Sequence, residues 1–393
     1  MSVVRKVLSL GTETAFEVLA KARALEAQGK EVIHLEIGEP DFDTPAHIVE
    51  AGVEALRQGY THYGPTPGLP EAREAVARHV SKTRGISVSP DRVVVTPGAK
   101  PVMFFTILAL AQRGGEVIYP NPGFPIFESM IRFCGAKAMP MRLVEEKGYH
   151  PDLEDLASKI NRRTRLIILN SPQNPTGAVL TREELEAVAG LIRGRDDVYV
   201  LSDEIYKDII YQGENNSIAS LPGMDERTII LDGFSKSYAM TGWRLGYGVF
   251  PESLVPHIVK LAVNSVSCAA SFTQRAAIVA LDGPQESVRD MVEEFRRRRD
   301  IITRGLRQIP GINCPEPEGA FYAFPSIKGT GIPSQEFQER ALSEAGVALL
   351  SGASFGRFGE GYLRLSYANS QENIMKALER LGDFVAKNRM DAG

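Results

Sequence analysis

Cysteine is scarce in this chain. Its 393 residues hold three, Cys134, Cys268 and Cys314, far apart. That spacing suggests neither a disulfide framework nor a Cys-x-x-Cys metal site. The six histidines are scattered and no His-Glu-x-x-His occurs, so no metal is expected. No apolar run reaches membrane-spanning length, and Met1 to Leu10 lacks the apolar centre of a secretory signal. An excess of one charge is missing too, since 45 basic and 49 acidic residues leave −4. This offers no electrostatic footing for nucleic acid or an anionic membrane. The one basic run, Arg296 to Arg299, follows Glu293 and Glu294 and reads as the solvated face of a long helix. Low-complexity tracts and internal repeats are also absent. A soluble, cytoplasmic protein is the expectation.

What is present is a large globular chain, with 43% hydrophobic and 24% charged residues excluding disorder. Its length suggests roughly two domains. From about 90 to 280, β-type runs alternate with amphipathic helical stretches. The expected strands are Val93 to Val95, Glu116 to Tyr119, Ala138 to Leu143, Leu166 to Leu169, Val198 to Leu201, Thr228 to Leu231 and Leu245 to Phe250. They are almost wholly apolar, as strands covered on both faces are. The pattern predicts an α/β domain with a mostly parallel, seven-stranded sheet. From about 286 it changes: a long helix over 286–308, strands at 320–324, 347–350 and 362–365, and helices near 334–346 and 370–388. This predicts a smaller α+β domain, completed by a helix over 14–28 and so discontinuous. The boundaries drawn are 45–285 for the large domain, and 1–44 with 286–393 for the small one.

Ligands of such sheets lie at the carboxyl ends of the strands. Thr228 to Leu231 runs on to Ser235-Lys236, and Arg244 follows inside Gly-Trp-Arg-Leu-Gly. A partly desolvated lysine loses pKa and becomes a nucleophile suited to Schiff-base chemistry. The adjacent hydroxyl and guanidinium suit a phosphate. Together they suggest pyridoxal 5′-phosphate, an aldehyde bearing a phosphate; the plainer alternative is a surface lysine and a structural arginine. Val198 to Leu201 leads to Asp203 and Tyr206. A carboxylate there needs a partner, and a protonated pyridine nitrogen is one; a helix cap is the alternative. Asn174 stands in a turn made rigid by Pro172, Pro175 and Gly177. Gly98, before a helix start, suits an anion. Phe124 suits stacking on a planar ring, or ordinary core. Arg364 alternates with Leu363 and Leu365, and wants a bidentate acid: a substrate carboxylate or an internal partner.

In order and spacing these segments resemble the class I/II aminotransferases, the fold-type I pyridoxal-phosphate enzymes that include aspartate aminotransferase. The resemblance runs from Gly38-Glu39-Pro40-Asp41-Phe42 through Tyr63-Gly64-Pro65-Thr66-Pro67-Gly68, Asn174-Pro175-Thr176-Gly177, Asp203-Glu204-Ile205-Tyr206, Ser235-Lys236 and Gly242-Trp243-Arg244 to Arg364. It implies that Lys236 is the Schiff-base lysine and that Asp203 binds the pyridine nitrogen. Tyr206 and Asn174 would bond the ring hydroxyl, and Phe124 would stack on the ring. Gly98, Ala99, Lys100, Ser235 and Arg244 would form the phosphate end. Tyr63 would reach the phosphate of a second subunit, which implies a homodimer. Gly38, Asn174 and Arg364 would hold the substrate α-carboxylate.

The implied reaction moves an amino group from an L-amino acid to a 2-oxo acid by a ping-pong mechanism. Lys100 favours a dicarboxylic partner such as 2-oxoglutarate, whereas Phe124 and Phe16 favour an uncharged donor. Two departures stand out. Gly233 replaces the hydroxyl residue that many relatives carry two positions before Ser235, and Phe124 replaces a tyrosine or tryptophan. A C–S lyase, or another lyase or synthase of fold-type I, would share most of these residues. A nicotinamide dehydrogenase would need a glycine fingerprint that Gly329-Thr330-Gly331 does not complete.

Overall fold

A computed structural model describes Val7 and residues 10–390. The parts of the expected small domain at residues 1–6, 8, 9 and 391–393 lie outside the described residues. Thirteen strands are present among the described residues. A short β1 (Ile33–His34) precedes the main sheet, which comprises β2 (Val93–Thr96), β3 (Glu116–Asn121), β4 (Lys137–Val144), β5 (His150–Pro151), β6 (Thr164–Asn170), β7 (Tyr199–Asp203), β8 (Thr228–Gly233) and β9 (Gly246–Val249). Their order is β2-β9-β8-β7-β6-β3-β4-β5. The seven expected strands are all there, and two-residue β5 adds an antiparallel eighth at the edge. β9 is antiparallel to both neighbours, β2 and β8.

The apolar runs form strands because both sheet faces are covered. Leu166 and Ile168 of β6 enter a cluster with Val102, Phe105, Met130 and Ile258. Ile167 and Leu169, pointing the other way, enter one with Leu156, Leu185 and Val188. Helices Lys100–Leu110, Pro125–Cys134 and Val255–Val263 thus cover one face, and Leu153–Lys159 with Arg182–Leu191 part of the other.

The later part of the chain adds β10 (Tyr322–Ala323), β11 (Val347–Ala348), β12 (Leu350–Ser351) and β13 (Leu363–Ser366). β13 lies between β10 and β12, while β11 pairs in parallel with β1. The strand expected over 347–350 is therefore divided: the chain changes sheets at Leu349. Apolarity alone does not encode which partner a residue pairs with. Helices Glu286–Gln308, Ser334–Ala345 and Gln371–Met390 bury Phe295, Ile302, Phe337, Ile374 and Leu381 against these strands. The helix Thr14–Glu26 places Val18 and Ala22 in a cluster with Phe324, Leu342 and Leu350, joining the start of the chain to its end. No helix of the described residues is long and apolar enough to cross a membrane.

Beneath the carboxyl ends of β7 and β8 lies a buried charge cluster. Arg84 ends the helix Pro70–Arg84, and its side chain is fully buried. Its guanidinium donates to Glu204 and Asp232, each at 2.9 Å. Tyr247 donates to Asp232 at 2.7 Å, and Ser202 and Ser217 donate to Glu204. Lys207 lies 3.2 Å from Asp232. Every carboxylate oxygen here is held, which is what makes such burial tolerable. Replacing Arg84 with methionine leaves two buried carboxylates short of their cation. The expected loss is about 3–5 kcal/mol of unfolding free energy, read as a lower urea midpoint; a loss below ~1 kcal/mol would show that the cluster relaxes without it.

Candidate active site

The parallel strands end along one edge, so Thr96, Asn121, Asn170, Asp203 and Gly233 come together there. β9 runs the other way and begins at that edge, which brings Arg244, just before it, to the same place. A cavity of about 540 Å³ opens above. Ala99, Lys100, Phe124, Asn174, Asp203, Tyr206, Ser235, Lys236 and Arg244 line it, with Gly38 and Arg364 across from the sheet.

The wall at Arg244 requires glycine. Gly98 has φ +80°, and a Cβ there would stand 2.3 Å from the Arg244 Nη2. Gly246 is as constrained, since a Cβ would lie 2.5 Å from the Ala99 nitrogen. These two glycines let the loop, the guanidinium and the start of β9 close on one another. Arg244 Nη1 donates to the Thr241 carbonyl at 2.8 Å. The helix that starts at Lys100 aims its free N–H groups at this corner.

Asp203 lies on the floor, 8% exposed, and Oδ1 accepts from the Ile205 N–H at 3.3 Å. Among the described residues no cation forms an ion pair with it. Burial pushes its carboxyl up to about 7, opposed by the Ile205 hydrogen bond and reinforced by the Asp232 and Glu204 carboxylates. Asn170 donates to the Asp203 carbonyl at 3.2 Å and accepts from the Asn174 N–H at 3.0 Å, fixing the turn. The peptide bonds Ser171–Pro172 and Asn174–Pro175 in that turn are cis. The Tyr206 hydroxyl lies 2.7 Å from that of Tyr322, and burial raises its pKa well above 10.

Lys236 projects into the cavity and donates to the Gly38 carbonyl. Its Nζ is 5.8 Å from the ring centres of Tyr206 and Phe321. Burial lowers its pKa to about 8; the Glu39 carboxylate opposes this and Arg364 adds to it. Arg364 donates to Asn174 Oδ1 at 3.4 Å and to the Glu36 carbonyl, and stacks 4.7 Å from the Tyr322 ring. Its buried Nε has no partner. Among the described residues the internal ion pair posed as an alternative at Arg364 is not formed; the guanidinium meets an amide and a carbonyl.

Three expected site residues are placed differently. Gly98 lies beside the Arg244 guanidinium but is not among the residues that line the cavity. Tyr63 does not line the cavity and is 92% exposed. Lys100 does line it, but its ammonium donates to Glu13 and sits 5.7 Å from the Phe124 ring centre, rather than reaching an open anion corner. Asn170, Tyr322, Glu13 and Thr241 were not singled out by sequence, yet all line the cavity. Asn170 ends a strand, so the rule that flags Asp203 would have found it. Tyr322 and Glu13 carry no such signal, because tertiary packing alone brings them here.

Residues 30–381 match the family model described as aminotransferase class I and II. The chain is 40% identical over 381 residues to the aspartate aminotransferase of Pyrococcus horikoshii, covering 96% of each chain. It is 40% identical to aromatic-amino-acid aminotransferase 2 of Thermococcus litoralis, covering 93% of this chain and 94% of that one. The solved alanine aminotransferase from Pyrococcus furiosus superposes with a TM-score of 0.93 at 35% identity, covering 98% of this chain and 100% of that one.

The depressed Lys236 pKa has a direct consequence. Below about 8 the ammonium dominates, and above it the neutral amine does. In ligand-free protein, reductive methylation of Lys236 followed by mass spectrometry should show a half-maximal rate near pH 8. A midpoint near that of an ordinary lysine, about 10.4, would contradict the desolvated setting.

Proposed function

The chain belongs to the class I and II aminotransferases, and from that membership we propose that its cavity holds pyridoxal 5′-phosphate. The enzyme is a transaminase for amino acids; the comparisons lend no support to the C–S lyase alternative. One observation carries the cofactor reading. A buried carboxyl, Asp203, and a buried amine, Lys236, share one cavity with no ion pair between them. A bound group bearing a cationic nitrogen at one end and a carbonyl nearby would answer both.

The remaining residues fit the same group. Gly98, Ala99, Ser235 and Arg244, with the N-terminus of the helix Lys100–Leu110, suit a phosphate. Phe124 offers a face to the ring, and Asn174 and Tyr206 offer polar groups to its hydroxyl. When bound, the cofactor supplies an aldehyde for the amine and a cationic ring that accepts the electron pair of the substrate Cα–H bond. Asp203 keeps the ring nitrogen protonated, because an ion pair shielded from water favours its charged form. Lys236 Nζ takes the Cα proton and gives it back, and a pKa near 8 suits both directions close to neutral pH. Arg364 and Asn174 hold the α-carboxylate, with the free Nε as an added donor. Gly38 allows close approach on the other side: a Cβ there would stand 2.2 Å from the Tyr322 hydroxyl.

In this reading residues 45–285 form the cofactor-holding domain, and 1–44 with 286–393 the discontinuous small domain. Tyr63, exposed and outside its own cavity, serves the phosphate end of a second copy in a homodimer. The acceptor is 2-oxoglutarate, with Lys100 meeting its distal carboxylate. Phe16, 61% exposed and lining the cavity with Phe124, accommodates an uncharged donor such as alanine or an aromatic amino acid. A cytoplasmic setting agrees with these substrates.

Three variants test the assignment. Lys236→Ala should abolish transamination and lose the visible absorbance that borohydride bleaches in the wild type; normal turnover would remove Lys236 from its role. Asp203→Asn should slow proton abstraction by several powers of ten, on the order of what the loss of a shielded ion pair implies. Near-wild-type turnover would refute the charge argument. Arg364→Lys keeps the charge but loses the fork. Its kcat/KM for amino acids should fall about 10- to 100-fold while cofactor affinity holds, and an equal loss of cofactor would mark Arg364 as structural.

A further inference from the structure

Lys100 and Glu13 meet at the open side of the cavity. Lys100 begins the helix Lys100–Leu110, and Glu13 immediately precedes the helix Thr14–Glu26. The Lys100 ammonium donates to Glu13 Oε1 and stands 5.7 Å from the Phe124 ring centre. Phe16, on the first turn after Glu13, lines the same cavity. The Lys100 side chain is 53% exposed and that of Glu13 21%. A carboxylate of the chain itself therefore occupies the ammonium at the open side of the cavity that a substrate's distal carboxylate would seek.

We propose that Glu13 is a specificity-determining residue that competes with the substrate's distal carboxylate for Lys100. A dicarboxylic substrate takes the ammonium and turns Glu13 out to water. A substrate with an uncharged side chain leaves the pair closed and lies against Phe16 and Phe124. The inference rests on the reading of Lys100 as the distal-carboxylate contact.

The physical argument has two sides. Without Glu13, an uncharged side chain would press against an ammonium short of a counter-charge, which is unfavourable in a partly dehydrated cavity. With Glu13 the ammonium is always paired, since one carboxylate replaces another and the net charge at Lys100 is conserved. A half-exposed ion pair is also weak, so opening it obstructs a dicarboxylate only slightly. A ping-pong enzyme must present one cavity to two substrates in turn. An exchangeable internal carboxylate lets that cavity be neutral for one and cationic for the other.

The test is a two-residue cycle on the holoenzyme. The readout is the ratio of kcat/KM for 2-oxoglutarate to that for pyruvate and, separately, for phenylpyruvate. Glu13→Gln removes the competing charge and keeps the shape, so the ratio should rise about two- to fivefold. Lys100→Met should lower it. With Lys100→Met already present, Glu13→Gln should have no further effect. A rise that persists in the double variant would mean that Glu13 repels the dicarboxylate directly, and the exchange would be overturned. No change with Glu13→Gln, while Lys100→Met alone lowers the ratio, would overturn it and leave the Lys100 reading standing. No change with Lys100→Met would remove both.

Discussion

A carboxyl group buried at the end of a strand without a cation of its own constrains everything around it. Asp203 is 8% exposed and sits near two further carboxylates, Glu204 and Asp232. Those two are neutralised from below, by Arg84 and by Lys207. Asp203 alone faces the cavity. The fold thus spends its internal cations on the supporting cluster and leaves one acidic group for a ligand. Desolvation raises the pKa of that group until an incoming positive charge draws it back down.

The same economy appears at Lys236. Its amine has the Gly38 carbonyl and no carboxylate within ion-pair reach among the described residues, and burial holds its pKa near 8. Arg364 completes the set, with two nitrogens satisfied by an amide and a carbonyl and one nitrogen free. Three ionisable groups are therefore left underpaired along one cavity: Asp203 at the end of β7, Lys236 in the turn after β8 and Arg364 in β13. Their positions are held by apolar packing and by the turn that Asn170 fixes, not by one another. In the proposed reaction such preorganisation would spare the cost of arranging them when substrate arrives.

At its mouth the cavity follows the opposite rule. There the charges are paired, and the pair is half open to water. Groups on the floor must be strong and fixed because the chemistry is the same for every substrate. Groups at the mouth must yield, because two substrates of different side chain use the same space. The segment around Glu13 and Phe16 comes from the start of the chain, and the helix after it shares one core cluster with residues of the chain's end and of the main sheet.

Much was legible in the sequence because it is written locally. Apolar runs of strand length, the helices between them and the polar residues at the strand ends determined the sheet and placed Asp203, Asn174, Lys236 and Arg244 on one edge. The discontinuous small part was legible from the change of pattern near 286. Only the tertiary structure decided what depends on distant partners. It split the run 347–350 between two sheets, added β5, and set Asn170 and Tyr322 beside the functional groups. It showed that Gly246 is required by the backbone at Ala99, 147 residues away in sequence. It also joined Lys100 to Glu13. Periodicity and turn chemistry act over a few residues, whereas pairing, burial and pKa depend on what the fold places next to each group.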